Sequence, residues 1–222
     1  MSFCIAVDGP AGAGKSTIAK MIARKMNLIY VDTGAMYRAM AYFMVSEKVN
    51  LDCAEAIAAK CQEADIRIIY ENNEQVVILN GENVNPYLRT EETGNAASVV
   101  STIGAVRAKL VELQQRMALD TDLIMDGRDI GTCVLPNAQL KIYLTASSRV
   151  RAIRRYNELI AKGEACSLEE IEADIIDRDY RDMNREISPL KQAEDAVLLD
   201  TSEMTIEEVV HTIVSLAEEK AN

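Results

Sequence analysis

The sequence is poor in the residues that several common site chemistries need. Its single histidine, His211, lies in an amphipathic segment near the end of the chain, so a Ser-His-Asp triad or a histidine metal site has little material. The five cysteines are scattered and never spaced as C-x-x-C, which argues against zinc fingers and disulfide scaffolds. We therefore interpret His211 as a surface residue and the cysteines as reduced thiols of a cytoplasmic protein.

Long apolar runs and excess positive charge are also missing. No apolar run approaches the ~18 residues that span a bilayer, and no positively charged segment precedes the short apolar stretch at the start, so we expect neither a membrane span nor a signal peptide. The chain has 24 basic and 35 acidic residues, a net charge of −11. Because a field of that sign repels a phosphate backbone, we expect no nucleic-acid partner. Any cluster of arginines is then informative about a particular anionic ligand.

The chain does contain a regular alternation of short apolar runs and longer helical patterns. This alternation is typical of an α/β fold with a parallel sheet flanked by helices, and five such runs predict a five-stranded sheet. The predicted strands are 3–7, 28–31, 123–125, 140–144 and 196–199. The predicted helices include 16–26, 35–47, 92–119 and 148–161.

The segment from about residue 51 to 89 interrupts this alternation. A short helical stretch precedes two β-rich runs, 66–70 and 76–79, which flank the polar residues Glu71-Asn72-Asn73-Glu74. An Asn80-Gly81 dipeptide follows, and Asn-Gly is the favoured pair for a type I′ hairpin turn. We therefore predict an antiparallel hairpin inserted into the parallel fold.

The strongest motif is GxxxxGK[ST], the pattern of a phosphate loop. It lies between the first predicted strand and the first predicted helix, which is where a phosphate loop is expected. Glycines let backbone N–H groups curl around a phosphate, Lys15 neutralises the β and γ oxygens, and the Ser16 hydroxyl suits Mg²⁺. The sequence therefore predicts a nucleoside triphosphate site. Its residues are Gly9, Pro10, Ala11, Gly12, Ala13, Gly14, Lys15, Ser16 and Thr17.

A second candidate is the acid that follows the predicted strand 123–125. Asp126 fits the pattern in which a strand-end carboxylate lies beside the phosphate loop and holds magnesium through water. Strand-end aspartates are also common turn residues, so this position alone does not distinguish a magnesium ligand from a turn residue. Together with the loop upstream, it predicts Ser16 and Asp126 as the magnesium ligands.

A phosphate loop does not reveal what receives the phosphate, so the acceptor must be sought among the arginines. Arg38, Arg107 and Arg128 come from three separate elements. Arg178, Asp182 and Arg185 are spaced i, i+4, i+7 and share one face of a continuous helix. Spacing alone favours a solvated row of salt bridges for this last trio over two guanidinium groups set around a carboxylate.

Five motifs follow one another in an order similar to that of the bacterial cytidylate kinases, over nearly the whole chain. They are GPAGAGKST, YVDTGAMYR, NAASVVS, DGRDIGT and RDYRDMNREISPL. The resemblance implies a single P-loop NTPase kinase domain over 1–222, with a monophosphate-binding insert at 38–100 and a helical lid at 149–180. It also implies a monomer that transfers phosphate from ATP, with Mg²⁺, to CMP or dCMP.

The resemblance assigns site residues by position. Lys15, Arg128 and Arg185 are the catalytic residues, and Arg154 and Arg155 of the lid contact the donor phosphates. Thr33, Arg178 and Asp182 contact the sugar, Ser98, Arg107 and Asp129 read the cytosine, and Arg38, Arg128 and Arg185 hold the acceptor phosphate. The chemistry suits cytosine, whose amine donates to a carboxylate while O2 and N3 accept from arginine and serine.

Three alternatives stay open at the level of sequence. The first is a kinase of another small acceptor on the same scaffold, such as another nucleoside monophosphate, shikimate or dephospho-coenzyme A, against which the hairpin insert and Arg107 argue. The second is a regulatory P-loop protein that binds nucleotide without transferring phosphate. The third is a structural or adaptor module, which requires the arginine constellation to be incidental.

Overall fold

The computed structural model describes residues 2–71 and 74–221. The chain divides into two compact units, one formed by Met1–Tyr30 with Asp120–Asn222 and the other by Val31–Leu119. The single kinase domain, the insert at 38–100 and the lid at 149–180 stay predictions.

The described residues alternate between strands and helices in the first unit and are interrupted by a hairpin in the second. The strands are β1 (Cys4–Asp8), β2 (Ile29–Asp32), β3 (Ile66–Glu71), β4 (Glu74–Leu79), β5 (Glu82–Asn83), β6 (Leu123–Gly127), β7 (Leu140–Thr145) and β8 (Val197–Asp200). The helices are α1 (Lys15–Met26), α2 (Thr33–Ser46), α3 (Ala54–Lys60), α4 (Glu91–Val100), α5 (Gly104–Met117), α6 (Ser148–Ala161), α7 (Leu168–Asn184) and α8 (Ile206–Ala221).

The larger sheet has five strands in the order β2-β6-β1-β7-β8. Strand β1 pairs in parallel with β6 and β7, and β7 pairs in parallel with β8. All five residues of β1 are buried, as expected for a central strand covered on both faces. The five predicted strands and the α/β class are therefore confirmed, with strand ends shifted by a residue or two.

The core of the first unit lies between this sheet and the helices α1 and α8. Ile5, Val7 and Ile142 of the sheet pack with Ile22 of α1 and Ile213 of α8. The start of α8 is fixed by a reciprocal cap, in which Thr205 N–H donates to Glu208 Oε2 at 2.8 Å and Glu208 N–H donates to Thr205 Oγ1 at 3.3 Å. His211 on this helix is exposed, as predicted.

The second unit contains the predicted hairpin. Strands β3 and β4 pair antiparallel, and β4 pairs antiparallel with β5. Between β4 and β5, Asn80 and Gly81 have φ values of 50° and 90°, which is the left-handed pair that a type I′ turn requires. This turn is confirmed, whereas the tip of the predicted turn at Asn72-Asn73 lies outside the described residues.

The single helix predicted over 92–119 is wrong, because the structure has α4 and α5 with a break between them. At the break, Ser101 Oγ and Thr102 Oγ1 donate to the carbonyls of Ser98 and Val99 at 3.0 and 2.8 Å. Ile103 is extended, with φ −84° and ψ 120°, before the new helix begins at Gly104. Hydroxyl side chains that bond the backbone compete with helix propagation, which explains the interruption.

Among the described residues, no helix has both the length and the apolar content needed to cross a membrane.

Candidate active site

The phosphate loop runs from the end of β1 to the start of α1. Gly9 has φ 147°, and a Cβ placed there would lie 1.9 Å from the carbonyl oxygen of Leu144, so the close approach of the loop to β7 requires glycine. Gly14 precedes α1 with φ 88° and, having no side chain, leaves the first N–H groups of the helix to another acceptor. A helix start of this kind favours a bound phosphate.

Lys15 is buried at the mouth of this loop, where its Nζ donates to the carbonyl of Pro10 at 2.8 Å. Burial, together with repulsion from Arg128, lowers the pKa of Lys15 to about 7. Asp126, Asp8 and Asp182 act in the opposite direction on the same pKa. The ammonium is therefore held at a cost that a bound polyphosphate would relieve.

The two predicted magnesium ligands are in contact. Ser16 Oγ donates to Asp126 Oδ2 at 2.8 Å, and the Tyr30 hydroxyl donates to Asp126 Oδ1 at 3.0 Å. Asp126 is the fourth residue of the fully buried strand β6, and the strand places its carboxylate beside Ser16 at the start of α1. A hydroxyl and a carboxylate oxygen are ligands that Mg²⁺ accepts alongside water and phosphate oxygens.

Asp8 is a buried carboxylate that the sequence analysis did not single out. Its two oxygens accept the N–H groups of Ile130 and Gly131 at 2.8 and 2.7 Å. Burial raises the pKa of Asp8 to about 6, although these two hydrogen bonds oppose the rise. Asp8 thus holds the turn that follows Asp129. Its position at the carboxyl end of β1, directly before Gly9, was the available signal.

Arg128 and Arg185 are each held by an aspartate of the same unit. Arg128 Nε donates to Asp182 Oδ2 at 2.8 Å, with both side chains 20% exposed. Arg185 forms an ion pair with Asp129 at 3.7 Å, and its Nε donates to the carbonyl of Ser188 at 2.6 Å. Asp182 of α7 therefore orients the guanidinium group of Arg128, and Asp129, which follows β6, orients that of Arg185.

The pKa of Asp182 reflects the three arginines around it. Burial raises its pKa, but Arg128, Arg178 and Arg185 together outweigh burial, and the pKa of Asp182 lies below its usual value. The side chain of Arg185 is 9% exposed. Asp182 and Arg185 are therefore partly buried and not part of a solvated row, whereas Arg178 is exposed. The expectation that all three share one face of a continuous helix is wrong, because α7 ends at Asn184 and Arg185 is extended.

The predicted substrate-binding residues of the second unit lie on its helices. In this unit α2 packs against α4 and α5. Arg38 forms an ion pair with Asp32 at 3.1 Å, while its Nε is buried without a hydrogen-bond partner among the described residues. Arg107 is buried, and its Nη1 donates to the carbonyl of Ser101 at 3.2 Å. Its Cζ lies 5.6 Å from the ring centre of Tyr37. Thr33 is buried at the start of α2, and Ser98 Oγ donates to the carbonyl of Gly94 at 3.4 Å.

The predicted lid arginines have partners inside the first unit. Arg154 donates to the carbonyl of Thr201 at 2.8 Å, and Arg155 pairs with Glu158 at 2.9 Å with its side chain 48% exposed. Their contact with the donor phosphates stays a prediction. By contrast Arg151, a residue of the same segment to which the sequence assigns no contact, donates to the carbonyl of Ala11 in the phosphate loop at 2.9 Å.

Comparison with known proteins identifies the family of this chain. A family model described as cytidylate kinase matches residues 5–219. The chain belongs to the cytidylate kinase family. A cytidylate kinase from Ligilactobacillus salivarius is 49% identical over 216 residues, covering 97% of this chain and 96% of the relative. Another cytidylate kinase, from Listeria welshimeri, is 50% identical over 220 residues, covering 99% and 97%.

Solved structures share the fold of this cytidylate kinase family member at much lower identity. A gluconokinase from Sinorhizobium meliloti superposes with a TM-score of 0.51 at 12% identity, covering 98% of this chain and 92% of that one. An uncharacterized protein from Eubacterium ventriosum superposes with a TM-score of 0.54 at 9% identity, covering 98% and 99%. At these identities the likeness concerns the fold alone.

Proposed function

We propose that this cytidylate kinase family member transfers the γ-phosphate of ATP to CMP and dCMP, giving ADP and the corresponding diphosphate. The observation that carries the proposal is the position of Arg128, which lies close enough to Lys15 to lower the pKa of that lysine. A phosphate-loop cation and an arginine held by Asp182 therefore belong to one electrostatic environment. This is the arrangement that transfer between two phosphates needs.

The reaction needs alignment and charge neutralisation more than proton transfer. An oxygen of the acceptor phosphate is already a good nucleophile, so we assign no general base and no covalent intermediate. Lys15 neutralises the β and γ oxygens of the donor, while Arg128 and Arg185 hold the acceptor phosphate. Ion pairs with Asp182 and Asp129 orient both arginines before substrate arrives, which lowers the reorganisation cost.

Mg²⁺ fits the oxygens at the start of α1. Ser16 and Asp126 contribute a hydroxyl and a carboxylate within 2.8 Å of each other, and no cluster of three or more acidic, histidine or cysteine ligands occurs among the described residues. Mg²⁺ commonly keeps several waters and is bound by one or two protein oxygens together with substrate phosphates. When bound, the ion supplies charge neutralisation on the donor phosphates.

The remaining residues named by the resemblance keep their assignments as predictions. Asp129 reads the base together with Ser98 and Arg107, and Arg38 binds the acceptor phosphate. Arg154 and Arg155 contact the donor phosphates. The monomeric state, the absence of a nucleic-acid partner and the cytoplasmic location also stay predictions.

A coupled assay of ADP release tests the proposal. Enzyme and ATP with MgCl₂ are first measured without acceptor, and CMP, dCMP, UMP, AMP and GMP are then added in turn. We expect ADP release to depend on acceptor and to be fastest with CMP or dCMP. We also expect EDTA to abolish the signal and MgCl₂ to restore it. Slow ADP release that no monophosphate changes would instead identify a regulatory P-loop protein.

Binding of ATP is expected to take up a proton above neutral pH. In the free protein the pKa of Lys15 is about 7, so about nine-tenths of this lysine is neutral at pH 8. The triphosphate favours the ammonium form and raises that pKa. Calorimetry at pH 8 in buffers of different ionisation enthalpy should therefore show close to one proton taken up per ATP, and an uptake near zero at pH 6.

The substitution Lys15→Met provides the control for this titration. At pH 8 the γ-phosphate of ATP is already deprotonated, so the protein is the source of the change. The variant should bind ATP more weakly with no uptake at pH 8. An uptake of the same size in the variant would assign the proton to another group.

A further inference from the structure

Arg151, near the start of α6, lies beside the phosphate loop and donates hydrogen bonds from all three of its guanidinium nitrogens. Its Nε donates to the carbonyl of Ala146 at 2.9 Å, and its Nη1 donates to the carbonyl of Ala11 at 2.9 Å. Nη1 and Nη2 also donate to the two carboxylate oxygens of Asp179 at 3.1 and 2.5 Å. The side chains of Arg151 and Asp179 are 5% and 14% exposed. Because these protein acceptors occupy most of the guanidinium donors, Arg151 is poorly suited to bind nucleotide as well.

Two of the three residues that accept from this arginine, Ala11 and Asp179, belong to the two parts that must be aligned for phosphate transfer. Ala11 lies inside the phosphate loop. Asp179 lies on α7, the helix that also carries Arg178 and Asp182, and Asp182 in turn binds Arg128 at 2.8 Å. A continuous series of contacts therefore runs from the phosphate loop through Arg151 and α7 to an arginine of the acceptor site.

The contact between the loop and this arginine is close. Gly12, one residue beyond Ala11, has φ 76°, and a Cβ placed there would lie 3.4 Å from Cβ of Arg151.

The buried ion pair between Arg151 and Asp179 is by itself weak evidence for a role in stability, because well-packed apolar residues often replace such pairs without loss. What an apolar pair would not reproduce is the bidentate geometry that fixes a carbonyl and a carboxylate at once.

A second ion pair joins the same two helices and offers a natural comparison. Arg149 of α6 pairs with Glu172 of α7 at 2.8 Å, but the Arg149 side chain is 49% exposed. An exposed pair of this kind contributes little to stability. The two pairs therefore share charge type and helices but differ in burial and in the bond to the phosphate loop.

We propose that Arg151 and Asp179 form a positioning pair for phosphate transfer, which fixes the phosphate loop at Ala11 relative to the acceptor-binding helix α7. The proposal rests on the proposed function. Neither residue touches the reacting atoms. Their effect on the reaction comes from the alignment of donor and acceptor, where a displacement of about 1 Å costs about a hundredfold in rate.

The variants Arg151→Lys and Asp179→Asn test the pair. Lysine keeps the positive charge but cannot donate the paired hydrogen bonds of a guanidinium group. Asparagine keeps the shape of aspartate but loses the negative charge. We expect kcat to fall about 10- to 100-fold in each, with KM for ATP and for CMP changed less than about threefold. Because the two residues act as one unit, the double variant should be no slower than the slower single variant. Arg149→Lys and Glu172→Gln should stay within about twofold of the wild type in kcat.

Amide hydrogen exchange without substrate supplies a second readout, which does not depend on CMP being the acceptor. Asp179→Asn should increase exchange in the phosphate loop around residues 11–14, far away in the sequence, whereas Glu172→Gln should not. If the wild type fails to phosphorylate CMP but this increase is found, the proposed function fails and the positioning pair stands.

Three results would overturn the positioning pair. In the first, Arg151→Lys raises KM for ATP tenfold or more while Asp179→Asn behaves as wild type, which makes Arg151 a donor ligand. In the second, the losses in kcat are additive in the double variant. In the third, neither kcat nor loop exchange differs from the Arg149 and Glu172 controls.

Discussion

Replacing Lys15 by methionine should lower kcat about 10³-fold while leaving the fold as stable as before or more stable. The catalytic loss follows from removing a preorganised cation from the developing charge on the transferred phosphate, and loss of one such donor costs about 10²- to 10³-fold. The stability result follows from burial, which together with Arg128 lowers the pKa of this lysine to about 7. Below that pKa the folded protein carries a buried charge at a cost, which methionine removes.

The pH dependence of stability separates this explanation from general damage. Between pH 7 and the ordinary lysine pKa, the unfolded chain binds a proton at Lys15 that the folded chain has released, so the contribution of Lys15 makes stability rise with pH. Lys15→Met should lose that contribution. Thermal melts at pH 6.5 and 9 of the wild type, Lys15→Met and Lys25→Met measure it, Lys25 being an exposed lysine at the end of the same helix. A large fall in melting temperature at pH 6.5 in Lys15→Met alone would contradict the argument.

The parts of the fold that the sequence predicts are those fixed by local chemistry. The inner strands β1 and β6 of the parallel sheet are fully buried, so each is a short continuous apolar run that stands out between helical patterns, whereas the edge strand β8 is apolar in sequence but largely exposed. The turn at Asn80-Gly81 needs two left-handed residues, which that dipeptide supplies at low cost. The phosphate loop likewise depends on glycines within a single short segment.

The missed features depend on contacts between residues far apart in the chain. Asp8 is significant because it accepts N–H groups 122 and 123 residues away, and nothing in the nearby sequence shows that. Arg151 resembles its neighbours Arg149, Arg154 and Arg155 until burial and the contacts with Ala11 and Asp179 distinguish it. The break between α4 and α5 had a local signal in Ser101-Thr102, but its hydroxyl bonds compete only weakly with the helix pattern on either side.

Replacing Asp129 by asparagine should relax the choice of base. Asp129 is buried beside Arg185, and a carboxylate accepts hydrogen bonds but donates none, so it suits the amine of cytosine and opposes the carbonyl of uracil. The asparagine amide donates as well as accepts. A site that leaves polar groups unpaired discriminates by up to ~10⁴-fold, so we expect the ratio of kcat/KM for CMP over UMP to fall at least about a hundredfold.

The ratio is the decisive measurement, because the ion pair between Asp129 and Arg185 at 3.7 Å makes a fall in kcat with both substrates inevitable. Asp129→Ala removes the acceptor without adding a donor, so it should lose the preference for CMP without gaining UMP activity. Asp177→Asn makes the same chemical change at an exposed carboxylate of α7 and should leave the ratio unchanged. If Asp129→Asn keeps the wild-type ratio while kcat falls, Asp129 orients Arg185 and another residue reads the base.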